Sequence, residues 1–277
     1  EATILESQGD YLTAAPKTLW ELAPREEGCE FDLPTKASVC SWSKNKAVLK
    51  WRQEDGRGIE VTATVSLDKT KPMSYWDIEL TSFEGDKLME VYFPRISNIK
   101  EFTNEEVAIA PWTGHLYKNY RKVSNVLSQR SVIRPTMQVE VIYGEEPSGL
   151  YIATNDVNSM AKGSYFEFEG NTTTYKHVYM LPMSAENSSF RSSYQSIIGT
   201  LHGDWYDAAQ IYREWALQQE WVKNNRLHSG KMNSWLPETD IWMWNRGRSN
   251  NVLTEAADLK EYLGDYNVSV LWHWWHN

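Results

Sequence analysis

Apolar and polar residues alternate strictly along the stretch GIEVTATVSLD, residues 58–68. Ile59, Val61, Ala63, Val65 and Leu67 fall on one side of an extended chain, and Glu60, Thr62, Thr64 and Ser66 on the other. That period of two is the signature of a strand with one buried face. The stretch SYWDIELTSFEGDKLMEVYFP repeats the alternation at Trp76, Ile78 and Leu80, turns at Glu84-Gly85-Asp86, and returns from Leu88 to Phe93. AVLKWRQ, PTMQVEVIYG, GLYIATND, YFEFEG and TYKHVYMLPM supply further strands. Many short strands at roughly ten-residue spacing, punctuated by Gly, Pro, Asn and Asp, predict a large antiparallel sandwich over residues 1–202.

The period changes at residue 203. In GDWYDAAQIYREWALQQEW the apolar positions Trp205, Ala208, Tyr212, Trp215 and Ala216 recur at helical spacing, with Asp204 placed to cap the first turn. The helix is expected to bury Trp205, Tyr212 and Trp215. VKNNRLHSGKMNSWLPET then reads as a connector, so that residues 203–238 form a linker helix and its continuation. From residue 239 the order is strand (DIWMWN), helix closed by Gly264 (LTEAADLKEYLG) and strand (VSVLWHW). A strand–helix–strand unit of about 30 residues implies two parallel strands joined right-handedly. The overall expectation is a mainly β protein.

Composition narrows the partners. The 277 residues are 41% apolar, enough to bury a core, and no stretch approaches the roughly 18 apolar residues of a membrane span. A formal charge of −9 without any Lys/Arg block speaks against nucleic acid, because phosphate binding needs clustered cations. The start, EATILESQGDYL, has no basic segment followed by an apolar core; the reading is a cytosolic chain or a processed end. Cys29 and Cys40 flank EFDLPTKASV and are either bridged or two free thiols. Sequons begin at Asn171, Asn187 and Asn267, and leave the compartment open. Tryptophan is unusually abundant at 14 residues, nine of them between Trp205 and Trp275. Aromatic faces stack on the C–H faces of sugar rings; a single Trp more often fills a core.

The segments VYFPRISNI followed by AIAPWTGHLY, then RPTMQVEVIYGEEPSGLYIATNDVNSMAK, GDWYDAAQIYREWALQQEW and LWHWWHN together resemble glycoside hydrolases of the α-galactosidase and α-glucosidase clans. Those enzymes carry a galactose-mutarotase-like β-supersandwich ahead of a (β/α)8 barrel. The resemblance implies three parts: the supersandwich at 1–202, the linker at 203–238, and at 239–277 the first β/α units of an incomplete TIM barrel. Eight such units take about 250 residues, whereas 39 follow Glu238, so the chain is expected to be a fragment whose partner is the rest of its own barrel. It also implies a carbohydrate substrate, a secreted or extracytoplasmic setting with the cytoplasm not excluded, and catalytic carboxylates on later strands. The catalytic residues are thus unknown.

In parallel α/β structures ligands bind at the carboxyl ends of strands. Trp244, Asn245 and Arg246 after the first strand, and His273, Trp274, Trp275, His276 and Asn277 after the second, are accordingly the candidate substrate-binding residues. The aromatics would stack and the others hydrogen-bond sugar hydroxyls; the competing reading is that alternate members pack the barrel core. Asp240 and Glu238 stand at the amino end of the first strand and receive no catalytic role. His273 and His276 would point to opposite faces of a strand, which disfavours a shared metal, and no cofactor is implied. Asp156 in ATNDVNS admits a cation or sugar site, but turn chemistry explains it more simply. No Gly-x-Ser-x-Gly elbow, phosphate loop or dinucleotide fingerprint occurs. The alternative function is a non-catalytic carbohydrate-binding or structural sandwich protein.

Overall fold

The computed structural model describes residues 18–24, 37, 39–52, 58–83, 87–111, 113–122, 124–131, 135–145, 148–182, 184, 187–227, 229–245 and 252–272. They divide between two compact units, 1–215 and 216–277.

The first unit is a two-layer β-sandwich. One layer has five strands, in the order β1 (Glu21–Pro24), β6 (Leu88–Lys100), β13 (Thr172–Met180), β12 (Lys162–Glu169) and β9 (Val126–Ser131). The other runs β2 (Val39–Ser43), β3 (Lys46–Trp51), β4 (Glu60–Leu67), β5 (Met73–Thr81), β15 (Ser196–Leu201), β11 (Gly149–Thr154), β10 (Pro135–Tyr143), β7 (Glu106–Pro111) and β8 (His115–Lys118), with β14 (Ser189–Arg191) also on β5. Every pairing in both layers is antiparallel, as expected from the alternation. In β4 the expected face is buried from Val61 to Val65, with Val61 and Ala63 fully enclosed and Thr62 and Thr64 half-buried, while Leu67 at the strand's end is exposed. The stretch from Ser74 to Phe93 is not a hairpin: β5 and β6 lie in opposite sheets, so the chain crosses layers there. Alternation fixes which side of a strand is buried, and is silent about its neighbour.

The core between the layers draws Trp76, Ile78 and Leu80 from β5, Ile142 from β10, and Phe93, Ile99, Phe166 and Tyr175 from the smaller sheet. β11 and β15 are buried on both faces. The second cover comes from helix α1 (Trp205–Ala216), whose Ala208 and Tyr212 are buried. The backbone N–H of Gln138 donates to the Tyr212 hydroxyl, and Lys71 pairs with Glu214 at 2.6 Å. These contacts put α1 on the face of the larger sheet that carries Val139, Val141, Tyr151 and Ala153.

The start of α1 is built as the sequence suggests. Asp204 accepts from the Tyr206 N–H at 2.7 Å, while Asp207 reaches back to the Asp204 N–H at 3.0 Å, a reciprocal capping box. Gly203 takes φ +115°, and a Cβ there would run into the Asp207 carboxylate. The helix ends at Ala216, earlier than the Trp-rich stripe implies, and a short turn α2 (Glu220–Lys223) follows in the second unit. Trp205 is not buried: about half of its surface, 48%, is exposed, because it sits in the first turn beyond the stripe of Ala208 and Tyr212. Trp215 is half-buried, its ring 5.4 Å from that of Tyr212.

Candidate functional site

The second unit holds β16 (Ile241–Asn245), helix α3 (Val252–Leu263) and β17 (Val268–Trp272). The two strands pair in parallel, from Ile241 beside Val268 to Asn245 beside Trp272. α3 packs against β17 and ends at Gly264, at φ +60°, whose N–H donates to the Lys260 carbonyl at 3.0 Å. Lys260 caps the same end, donating to the carbonyls of Gly264 and Tyr266 at 2.6 and 2.7 Å.

The amino ends of the strands are stapled together. Asp240 accepts from the Asn267 N–H at 2.8 Å, the Asn267 amide donates to the Glu238 carbonyl at 2.9 Å, and Thr239 and Ser269 share a hydrogen bond of 2.7 Å. Asp240 thus acts on backbone at the end of the unit away from the candidate site.

At the carboxyl ends, Asn245 and Trp272 close the pairing side by side, which is the adjacency the candidate site requires. Arg246, His273, Trp274, Trp275, His276 and Asn277 lie outside the described residues, as does the side chain of Asn245. Of the eight candidates, Trp244 is the one whose side chain is described, and it is 52% exposed. It shares a strand face with Trp242, exposed to 48%, and lies in register with Leu271. The Trp235 ring stands 6.0 Å from that of Trp242. Ile241, Met243, Val268 and Val270, on the other face, are half-buried. The exposed face is therefore aromatic, of a kind suited to stacking or to further packing.

The first unit contains polar chemistry that the search for apolar alternation passed over. Gln138 and Glu140 precede Ile142 on the inward face of β10, a placement readable from PTMQVEVIYG itself. The Lys162 ammonium donates to Asp156 at 2.5 Å and to the Gln138 side-chain oxygen at 3.0 Å. Asp156 also accepts from the N–H groups of Asn158 (2.9 Å) and Met160 (2.6 Å), so it builds the turn, as the simpler reading had it. Glu140 accepts from the hydroxyls of Ser164 and Tyr175, and His177 Nε2 lies 2.9 Å from the Tyr194 hydroxyl. Burial pushes the Glu140 carboxyl up to about 7. Burial, then the Lys162 charge, bring the His177 imidazole down to about 3. Gln138, Glu140, Lys162, Ser164, Tyr175 and His177 line a cavity of about 40 Å³, room for a few waters and too small for a sugar ring. Among the described residues no cluster of His, Cys, Asp and Glu could hold a metal.

Residues 190–277 match the family model for a domain of unknown function, DUF6259. A curated protein of Bacteroides thetaiotaomicron named "Putative glycoside hydrolase" is 24% identical over 236 residues, covering 83% of this chain and 34% of its own length. Among solved structures, the α-N-acetylgalactosaminidase NagBb of Bifidobacterium bifidum is similar in fold. Its Gal-NHAc-DNJ complex has a TM-score of 0.59 at 8% identity, covering 92% of this chain and 46% of that one. Its GalNAc complex gives 0.56 at 8% identity over the same shares. The chain spans about a third of the curated relative and under half of these solved chains. The resemblance to glycoside hydrolases read from the sequence is thus met again, in a curated relative and in the fold.

Proposed function

We propose that this chain is the N-terminal part of a glycoside hydrolase acting on oligo- or polysaccharides, with its catalytic acid and nucleophile beyond residue 277. In this reading residues 1–202 are an accessory supersandwich, 203–238 the linker, and 239–277 the first β/α units of a (β/α)8 barrel in an extracytoplasmic enzyme. The observation that carries it is the parallel β16–α3–β17 unit following a large antiparallel sandwich, its strands finishing together at Asn245 and Trp272. Support comes from the curated relative, which is about two and a half times as long and bears a glycosidase name. Trp244, Asn245, Arg246 and His273 to Asn277 then border the sugar at the barrel mouth, on the side away from Asp240.

The test compares this chain with a polypeptide extended past residue 277 along its own gene, on chromogenic α-galactoside, α-N-acetylgalactosaminide and α-glucoside. The extended protein should hydrolyse one of them and the 277-residue chain none, because stacking and hydrogen-bonding groups do not replace an acid and a nucleophile. Alanine at Trp274 or Trp275 should weaken substrate binding in the extended protein, one more than the other. Robust hydrolysis by the 277-residue chain would overturn the placement of the carboxylates. The exposed Trp235, Trp242 and Trp244 favour one second reading, a non-catalytic carbohydrate-binding protein. Saturable sugar binding by an extended protein inert on all substrates would select it.

A further inference from the structure

Glu140 provides a polar link across the apolar interior of the sandwich. It belongs to β10 of the larger sheet, and its two hydroxyl donors, Ser164 and Tyr175, belong to β12 and β13 of the smaller one. On its own sheet its register neighbours are Ile109 of β7 and Ile152 of β11, both apolar. The cation lining the same cavity, Lys162, is committed to Asp156 and Gln138, and lies over the Tyr194 ring at 4.5 Å. His177 faces the cavity from β13, packed edge-on against Tyr179 and Tyr194 at 4.9 and 5.8 Å. Two hydroxyls can hold a neutral carboxyl well, but they leave a buried carboxylate without a counter-charge. The adjoining cavity is where water would enter to supply what they lack.

We propose that this cluster is a proton-operated lock between the two sheets: with a proton on Glu140 and none added to His177 the layers close over the cavity, and ionising either group draws in further water and loosens β10 from β12 and β13. The two groups have opposite signs. Glu140 keeps its proton in the fold up to about 7, against 4.5 when unfolded, so its stabilisation is complete below 4.5 and is lost as pH rises to about 7. His177 stays neutral in the fold down to about 3, against 6.5 when unfolded, so its stabilisation is complete above 6.5 and is lost as pH falls towards 3. Between 4.5 and 6.5 the two slopes offset each other, and the lock holds in mildly acidic water.

Glu140→Gln, which keeps a neutral side chain of the same shape, isolates the first limb. The melting-temperature difference between E140Q and the parent should grow with pH between 4.5 and 7, favouring the variant by on the order of 5–10 °C more at pH 8 than at pH 4.5. Amide hydrogen exchange in β12 should be faster in the parent than in E140Q at pH 8, and equal at pH 5. A difference independent of pH would overturn the proposal. Should E140Q fail to fold, the parent decides by infrared spectroscopy: a protonated carboxylic-acid band present at pH 6 and lost above pH 8 sustains the lock, and its absence at pH 6 rejects it.

Discussion

Replacing Asp156 by Ala strikes the most enclosed ion pair among the described residues of the sandwich. The Asp156 side chain is 1% exposed and that of Lys162 10%. The substitution removes the partner of a buried ammonium and unbinds the N–H groups of Asn158 and Met160. Stranding one charge of a buried pair costs about 3–5 kcal/mol, and the two loop amides, which can turn to water, about 1 kcal/mol more. For a unit of this size each kcal/mol lowers the melting temperature by about 2–4 °C, so D156A should melt roughly 8–24 °C below the parent. Lys162→Met tests the cause. Alone it should cost less, because a carboxylate holding two N–H donors is better provided for than a lone ammonium. Combined with D156A it should recover at least about 2 kcal/mol relative to the sum of the single losses, since no orphaned charge is left. Thermal and urea unfolding of the four proteins complete the cycle. A loss below about 1 kcal/mol for D156A, or strict additivity in the double variant, would refute the reasoning and reduce the pair to turn geometry.

Other substitutions test the packing of α1 and the rim of the sandwich. Tyr212→Ala should cost about 3–5 kcal/mol by urea unfolding, because it empties a buried site against the sheet, whereas Trp205→Ala should cost under about 1 kcal/mol; equal losses would mean that the helix sits differently. Gly203→Ala should cost about 1–3 kcal/mol, because it places a Cβ at φ +115° against Asp207, and pairing it with Asp207→Ser should return part of that in a thermal melt. Arg121 donates to Glu105 at 2.8 Å and to Thr173 at 2.7 Å, and its guanidinium lies 4.8 Å from the centre of the Phe168 ring. Arg121→Met should therefore cost about 3–5 kcal/mol at neutral pH, and less where Glu105, whose carboxyl burial pushes up, can take a proton.

The sandwich was legible because antiparallel strands with one buried face write their geometry into every second residue. Val61, Ala63 and Val65 lie where the alternation puts them. What alternation leaves out is pairing. β5 and β6 are neighbours in sequence and lie in different sheets, and β15 completes the ladder beside β5 only after the chain has passed through nine intervening strands. Helix α1 was legible through its capping residues and the Ala208–Tyr212 stripe. Its length was not, because the tryptophans that seem to extend the stripe also suit exposed positions. Glu140, Lys162 and His177 were missed for a related reason. A polar residue at an inward position reads as an interruption of the pattern, when with a partner on the opposite sheet it is a cross-layer contact.

The aromatic face of β16 follows from the same alternation in a parallel setting. A two-stranded parallel sheet leaves two edges unpaired, and parallel strands ordinarily have both faces covered. Here one face, with Ile241, Met243, Val268 and Val270, is half-buried, while Trp242, Trp244 and Leu271 present the other to solvent. In the proposed barrel that second face is the interior, and depth along the strand separates the two roles a tryptophan can have there. Trp242 lies two residues further from the carboxyl end than Trp244, deep enough to become packing between strands. Trp244 stands one residue before Asn245, where the strand ends and the mouth begins. In that proposed barrel the core and sugar-stacking readings of Trp242 and Trp244 would belong to successive layers of one strand, which the sequence leaves unresolved because both layers ask for the same side chain.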